Sequence, residues 1–161
     1  MKNFLKYYKQ KNKAFALLYA ILISSILLSI SIGVANIAYK ELQFGTQADQ
    51  SDNAFYAADI GAECALYYDK SSGSAFGGTL QPPYSCAGNT IAINGASPVW
   101  TFNIPALNTD GKGCAIVSVN KSVSGTKIIS KGYNNGSGGA QPNWTCTPTS
   151  NTLERQLEVN Y

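Results

Sequence analysis

The stretch KNKAFALLYAILISSILLSISIGVANIAYK, residues 11–40, decides the architecture of this 161-residue chain. From Ala14 to Tyr39 it carries no charged side chain, and Lys2, Lys6, Lys9, Lys11 and Lys13 all lie before that run. At about 1.5 Å of rise per helical residue, an apolar run of this length crosses a hydrocarbon core of roughly 30 Å. Lysines ahead of a first span hold that side in the cytoplasm, so the chain beyond Tyr39 is expected to face outward. A cleaved secretory signal is a competing reading, with Gly33-Val34-Ala35 as its small-x-small site, but the apolar region of such a signal is usually about 7–15 residues. A plain single-span anchor is another reading, which the span leaves open. Within the span Ser25, Ser29 and Gly33 recur every four residues, as do Ala16, Ala20 and Ser24. Small residues at that spacing form a smooth stripe that suits close helix packing, although they are common in membrane helices generally.

Outward of Tyr39 the helical pattern continues. No proline interrupts Lys40 to Tyr68, and the single Gly45 weakens a helix without ending it. Phe55, Ala58, Ala62 and Leu66 recur at three- and four-residue steps and predict one apolar stripe, with Asp49, Asp52, Asp59 and Glu63 on other faces. The expectation is one helix of about 50 residues, half in lipid and half beneath a head. Ser71–Gly78 ends it, and Pro82-Pro83 marks a loop. Strand candidates follow at Thr90–Ile93 and Val99–Ile104, with Asn94-Gly95 as a hairpin-type pair between them, although that loop runs on to Pro98. Cys114–Val119 and Lys127–Tyr133 read as an antiparallel pair, whereas Asn134–Gln141 is too rich in Gly and Asn for a strand. Leu153, Leu157, Val159 and Tyr161 alternate with polar residues, so the last segment reads as a half-buried strand. Arg155 falls on the apolar phase; pairing with an acid in the head or in a neighbouring molecule is one reading, and a place at the exposed start of that strand is the preferred one. The expected fold class is α+β: a long N-terminal helix, partly transmembrane, packed against a small antiparallel β-sheet head. The divisions are 1–14, a basic leader; 15–39, the membrane half of the helix; 40–69, its amphipathic half; and 70–161, a disulfide-containing head.

Five of the twelve basic residues lie in Met1–Lys13, whereas all nine acids lie beyond Tyr39, so the part from Phe15 onward has a balance of −2. A nucleic-acid reader needs a concentrated basic face. None is visible, and Lys112, Lys121, Lys127 and Lys131 read as scattered solubilising residues. The chain has no histidine, which removes Ser-His-Asp and Cys-His chemistry, and its acids form no motif pair; no enzyme activity, cofactor or metal is expected. Cys64, Cys86, Cys114 and Cys146 all fall on the outward side without a C-x-x-C pair, which favours two disulfides over a zinc site. Three connectivities are possible. Cys64–Cys86 with Cys114–Cys146 is favoured, because the first would pin the loop leaving the helix and the second would staple the head. Asn120-Lys121-Ser122, Asn135-Gly136-Ser137 and Asn143-Trp144-Thr145 match the glycosylation sequon, a frequent chance pattern.

A basic leader, an uninterrupted apolar helix, an amphipathic extension and a small antiparallel sheet together resemble a type IV pilin. Residues 54–63, AFYAADIGAE, are similar to the alanine-rich, acid-bearing helix of PilX-like minor pilins. Residues 126–133, TKIISKGY, and then 154–159, ERQLEV, resemble a pair found in many pilins and pseudopilins, a strand ending in S-x-G and a closing strand that starts at arginine. The resemblance implies that a prepilin peptidase cuts between Ala14 and Phe15 and that Phe15 is then N-methylated. Alanine stands before the cut where the family usually has glycine. Five residues into the mature helix, Tyr19 stands where the family usually has glutamate. That glutamate is thought to neutralise a neighbour's new α-amine, which is charged at neutral pH. Three outcomes fit its absence: a minor or tip subunit, assembly by helix packing alone, or an uncut membrane anchor, of which the first is preferred.

The implied function is structural: a filament subunit stored in the inner membrane and extracted by a pilus assembly machinery. Its partners are other pilin subunits, through helix packing, and prepilin peptidase; no nucleic acid is expected. Before assembly it is a single-pass membrane protein with a cytoplasmic N-terminus, and afterwards it lies at the cell surface. The alternative is an uncleaved, membrane-anchored adhesive or receptor module in which Trp100, Tyr133 and Trp144 line a ligand surface. A subunit of a DNA-uptake pilus is a third reading, which the −2 balance disfavours.

Overall fold

The computed structural model describes residues 2–139 and 145–161, with side chains from residue 15 onward. Among these residues one helix, α1, spans Lys2–Lys70, and nine strands follow it. The chain divides into two compact units, one ending at Thr46 and the other running Gln47–Tyr161.

The first unit is helix alone. Its apolar side chains from Phe15 to Phe44 are exposed, and the helix is long and apolar enough to cross a membrane. Its hydroxyls bond back into the helix: Ser24 Oγ donates to Ile21 O at 3.0 Å, Ser25 Oγ to Leu22 O at 2.8 Å and Ser31 Oγ to Leu27 O at 2.8 Å. Each donor is thus satisfied within the helix, the condition for a polar side chain on an apolar helix surface.

The second unit is α+β. Its strands are β1 (Tyr84–Cys86), β2 (Asn89–Ile91), β3 (Asn94–Ala96), β4 (Val99–Leu107), β5 (Gly113–Ser122), β6 (Gly125–Tyr133), β7 (Ser137–Gly138), β8 (Thr145–Cys146) and β9 (Glu154–Asn160). Five of them form an antiparallel sheet in the order β3-β4-β5-β6-β9, while β1-β2 and β7-β8 are separate two-stranded ribbons. One face of the large sheet is apolar: Trp100, Phe102 and Ile104 of β4, Val117 and Val119 of β5 and Ile128 of β6 are buried beside Ala57, Ala65 and Tyr68 of α1. Phe76, in the loop leaving the helix, stacks on Phe102 with ring centroids 6.3 Å apart.

The helix meets this sheet through its smallest residues. Ala54, Ala57, Ala58, Gly61, Ala62 and Ala65 are buried, whereas Phe55 is 45% exposed and Leu66 half-buried. The expected stripe of Phe55, Ala58, Ala62 and Leu66 is therefore rotated toward the alanines. The reason lies in β6, where a Cβ on Gly132 would collide with the helix backbone at Ala54, Ala57 and Ala58. Backbone packed that closely leaves no room for a phenyl ring, so bulk is displaced to the outer face.

Three strand boundaries differ from expectation. Asn94-Gly95 is not the hairpin turn; both residues belong to β3, which pairs Asn94↔Thr101 and Ala96↔Val99, so the turn is Ser97-Pro98. The strand before it, β2, pairs instead with β1 around Ala87-Gly88, where φ is 49° and 78°. Two consecutive left-handed residues are what a two-residue hairpin turn demands, and alanine at the first hides it from sequence. Finally, β7 lies within the segment expected to hold no strand, as a two-residue pairing with β8 across Ser137↔Cys146 and Gly138↔Thr145. The β5–β6 pair forms with Ser122↔Gly125 closing the hairpin, and β9 joins β6 from Lys127↔Asn160 to Tyr133↔Glu154.

Candidate assembly surface and head closure

From Phe15 to Tyr39 the first unit carries no charged side chain, and its large apolar side chains are exposed. Phe15 is 73% exposed and Tyr19, one helical turn on, is 59% exposed. The backbone of Ala14 belongs to α1, but its side chain lies outside the described residues. Gly33 has no heavy atom within 4 Å of its would-be Cβ, so the Ser25-Ser29-Gly33 stripe is open to an approaching helix. Burying a Leu or Ile side chain is worth roughly 2 kcal/mol. Leu17, Leu18, Ile21, Leu22, Ile26, Leu27, Leu28 and Ile30 are all exposed, on a helix long and apolar enough to cross a membrane. No carboxylate occurs between Phe15 and Tyr39 to meet a cation there.

The second unit is closed by covalent and polar ties. Disulfides join Cys64 to Cys86 and Cys114 to Cys146, with Cα atoms 6.1 Å and 5.7 Å apart. The first ties α1 to β1, and the second ties β5 to β8. At the helix end, Asp69 is nearly buried. Its Oδ1 accepts from Lys121 Nζ at 2.7 Å and from Ser74 Oγ at 3.3 Å, and its Oδ2 accepts from the Tyr161 hydroxyl at 2.7 Å. Burial opposes ionisation of Asp69, but hydrogen bonds from Lys121 and Tyr161, with the lysine charge, outweigh it and hold the carboxyl below its usual value. Burial and the same carboxylate push the Tyr161 phenol up, and Lys70 Nζ sits 3.8 Å above its ring. Lys121 is therefore not a scattered solubilising residue: one helix carboxylate, 52 positions away, holds it.

The S-x-G strand end and the closing strand meet the helix as well. Ser130 is fully buried with its hydroxyl unpartnered, directly opposite Gly61, and Gly132 abuts the helix backbone. Arg155 lies exposed at the start of β9 as expected, and its Nε and Nη2 donate to Ser51 Oγ of α1 at 2.9 Å and 2.6 Å. Beside it, Tyr133 donates to Glu154 Oε2 at 2.8 Å, and Lys131 Nζ lies 3.2 Å from Glu154 Oε1. Burial, then the Glu154 carboxylate, pushes the Tyr133 phenol up to about 12. The Tyr133 bond, followed by Lys131, holds Glu154 below the ordinary glutamate value.

Trp100 and Tyr133, expected on a ligand surface in the adhesive reading, are 7% and 4% exposed and belong to the interior. Trp144 and the Asn143 sequon lie outside the described residues, whereas Asn120 and Asn135 are exposed. Among the described residues, no group of three or more His, Cys, Asp or Glu side chains is placed to hold a metal ion.

Fold and surface thus define a protein with one long apolar helix and a small, disulfide-tied antiparallel head. No protein-family model, curated protein or solved structure matches the chain.

Proposed function

We propose that this chain is a structural subunit of a type IV pilus or related surface filament, of the minor or atypical pilin kind. The observation that carries the reading is the division of labour within α1. From Phe15 to Phe44 its apolar side chains are bare, and after Gln47 an alanine face is seated on an antiparallel sheet closed by an S-x-G strand and a strand with Arg155 near its start. An ordinary anchor needs no such extension. In this reading the helix holds the subunit in the inner membrane with its N-terminus in the cytoplasm until prepilin peptidase cuts between Ala14 and Phe15. Phe15 is then methylated, and the assembly machinery exchanges lipid for the helices of other subunits around the same surface. Tyr19 in place of glutamate means that the subunit offers no carboxylate to a copy of itself, so a different subunit supplies it. No catalytic role is proposed.

Mass spectrometry of filaments sheared from the cell surface tests this. The expected result is a chain that begins at N-methylated Phe15 and disappears from the sheared fraction when prepilin peptidase is removed. Chains that begin at Met1 and remain with the membrane would overturn the proposal in favour of an uncleaved anchored module.

A further inference from the structure

The two edges of the five-stranded sheet are finished differently. On the β4 side, β3 pairs with Val99–Thr101. Beyond it the Ala106 N–H donates to Ser137 Oγ at 2.9 Å, and Pro105 O accepts from Asn89 Nδ2 at 3.0 Å. On the other side, β9 pairs only with β6. Tyr161 and Thr126 exchange both backbone bonds, at 2.7 Å and 3.1 Å. Such pairs recur at every second residue of an antiparallel ladder, so Val159, Leu157 and Arg155 also aim their backbone groups at β6. The N–H and C=O groups of Glu154, Gln156, Glu158 and Asn160 therefore point away from the sheet, and among the described residues they meet no partner.

Edge strands are ordinarily blunted by lysine, proline, a bulge or a charge. The register of β9 is unbroken over seven residues, which include neither lysine nor proline. Its charges are turned away from the free edge: Glu154 to Lys131 and Glu158 to Lys127 of β6, and Arg155 to Ser51 of α1. Apolar surface lies beside the edge. Ser51 and Asp69 hold Arg155 and Tyr161, near the two ends of the strand. Phe55, Ala62 and Leu66 fall on the same flank of α1 as Ser51 and Asp69, at steps of three, four and seven. Phe55 is 45% exposed, and Leu66, Leu157 and Val159 are half-buried.

An open row of alternating donors and acceptors is satisfied by an added β-strand. A second copy of β9 does not qualify. Ser51 lies beside Arg155 and Asp69 beside Tyr161, so α1 and β9 run the same way, and a two-fold β9–β9 pair would set the two helices antiparallel. Copies anchored in one membrane through their N-terminal helices, as proposed above, need them parallel. Arg155 and Tyr161 reach the helix, so the alternate residues Glu154 and Glu158 face the outer side of the sheet. Strands lie about 4.8 Å apart, which makes these carboxylates the nearest charges to an added strand, with the β6 lysines one strand further off. Basic side chains on that face of the newcomer are favoured and acidic ones repelled. We propose that β9 accepts an extended strand of a different protein, apolar on the side toward α1 and basic on the other. The addition of a strand does not depend on whether the chain enters a filament.

The test uses the full chain, one copy per phosphatidylcholine nanodisc, and the end-blocked peptide KVKVKVK, whose pattern reads the same in either strand direction. Residue-resolved hydrogen exchange should slow about tenfold at Gln156, Glu158 and Asn160 on peptide addition, while Arg155, Leu157 and Val159, already bonded to β6, keep their rates. The peptide KKKKVVV, of equal composition, should give no such alternation, and EVEVEVE should bind about tenfold more weakly. Gln156→Pro removes an outward donor that β6 does not use, which an edge strand tolerates, and should abolish the protection. Glu154→Gln combined with Glu158→Gln should keep the alternation but erase the preference over EVEVEVE. Peptide mapping that finds both disulfides establishes that each variant is folded. Uniform or absent protection with KVKVKVK overturns the proposal, as does protection that Gln156→Pro leaves intact, or equal binding of EVEVEVE by the parent. Alternate amides already slow without peptide in discs holding two copies, but not in discs holding one, would overturn it in favour of a second copy.

Discussion

Replacing Gly132 with alanine should unseat the helix from the sheet. A methyl there would lie 2.8 Å from the carbonyl carbon of Ala57 and closer still to Ala58 N and Ala54 O. All three are helix backbone atoms held in the hydrogen-bond ladder, so only lifting α1 relieves the clash. Gly132 does not have a left-handed backbone, so alanine is conformationally allowed. By restricting the unfolded chain, the methyl would even contribute about 0.4–1 kcal/mol of stability. Overpacking typically costs about 1–3 kcal/mol, and a clash with three backbone atoms belongs at the upper end. The net loss should be about 2 kcal/mol, or about 8 °C in melting temperature for a head of this size. Urea unfolding of the full chain with disulfides intact reads this through tryptophan fluorescence, since Trp100 is 7% exposed. Two comparisons locate the cause. Gly61→Ala meets the Ser130 hydroxyl and Val117 Cγ2, the latter at 2.8 Å. Both are side-chain tips that can turn away, so the loss should be about 1 kcal/mol. Gly88→Ala meets nothing within 4 Å but sits at φ +78°, so its effect is backbone strain alone. If Gly132→Ala stays within about 0.5 kcal/mol of the parent, the ordinary scatter of surface changes, the close seating of α1 on β6 is wrong.

Lys121→Met should destabilise the head by about 2 kcal/mol, between an exposed and a fully buried pair, because it strands the Asp69 carboxylate. Lys112→Met, whose 3.7 Å pair with Asp110 is solvent-exposed, should be neutral in the same denaturation experiment. Acidification should weaken the same tie. Asp69 is held below its ordinary value of 3.8, so its contribution is complete above that value and is lost as pH falls through the lower folded value. The parent should therefore lose more stability than Asp69→Asn on titration below about pH 4. On the proposed filament reading, Tyr19→Glu should raise the amount of the chain in sheared filaments relative to the membrane pool, measured by quantitative immunoblotting; an unchanged ratio would show that position 19 does not limit assembly.

Much of the architecture was legible because its signals are local. Twelve glycines and two prolines in tandem punctuate the chain beyond Lys70, and alternation at Leu157 and Val159 marks the closing strand without any partner. The helix stripe was misread at Phe55 because periodicity ranks residues by hydrophobicity, whereas the sheet selects by size. The first hairpin was misplaced because Asn94-Gly95 is a strong turn signal that pairing overrode, while Ala87-Gly88 took a conformation alanine seldom adopts. Arg155 was placed at the exposed start of its strand, where it lies, but its hydroxyl partner was missed, since nothing near it in sequence announces Ser51, 104 positions earlier.

By itself, the sequence determined that a helix with an uncharged run from Ala14 to Tyr39 leads into a strand-rich, four-cysteine head, and that five lysines precede that run while all nine acids follow it. Those features rest on chain length, hydrophobic period and charge order, each a property of neighbouring residues. Tertiary structure alone decided which helix face is seated, which lysine Asp69 holds, and that β9 is left at the open edge of the sheet. These depend on strand register and on how closely backbones approach, quantities set by the fit of distant surfaces and carried by no local pattern.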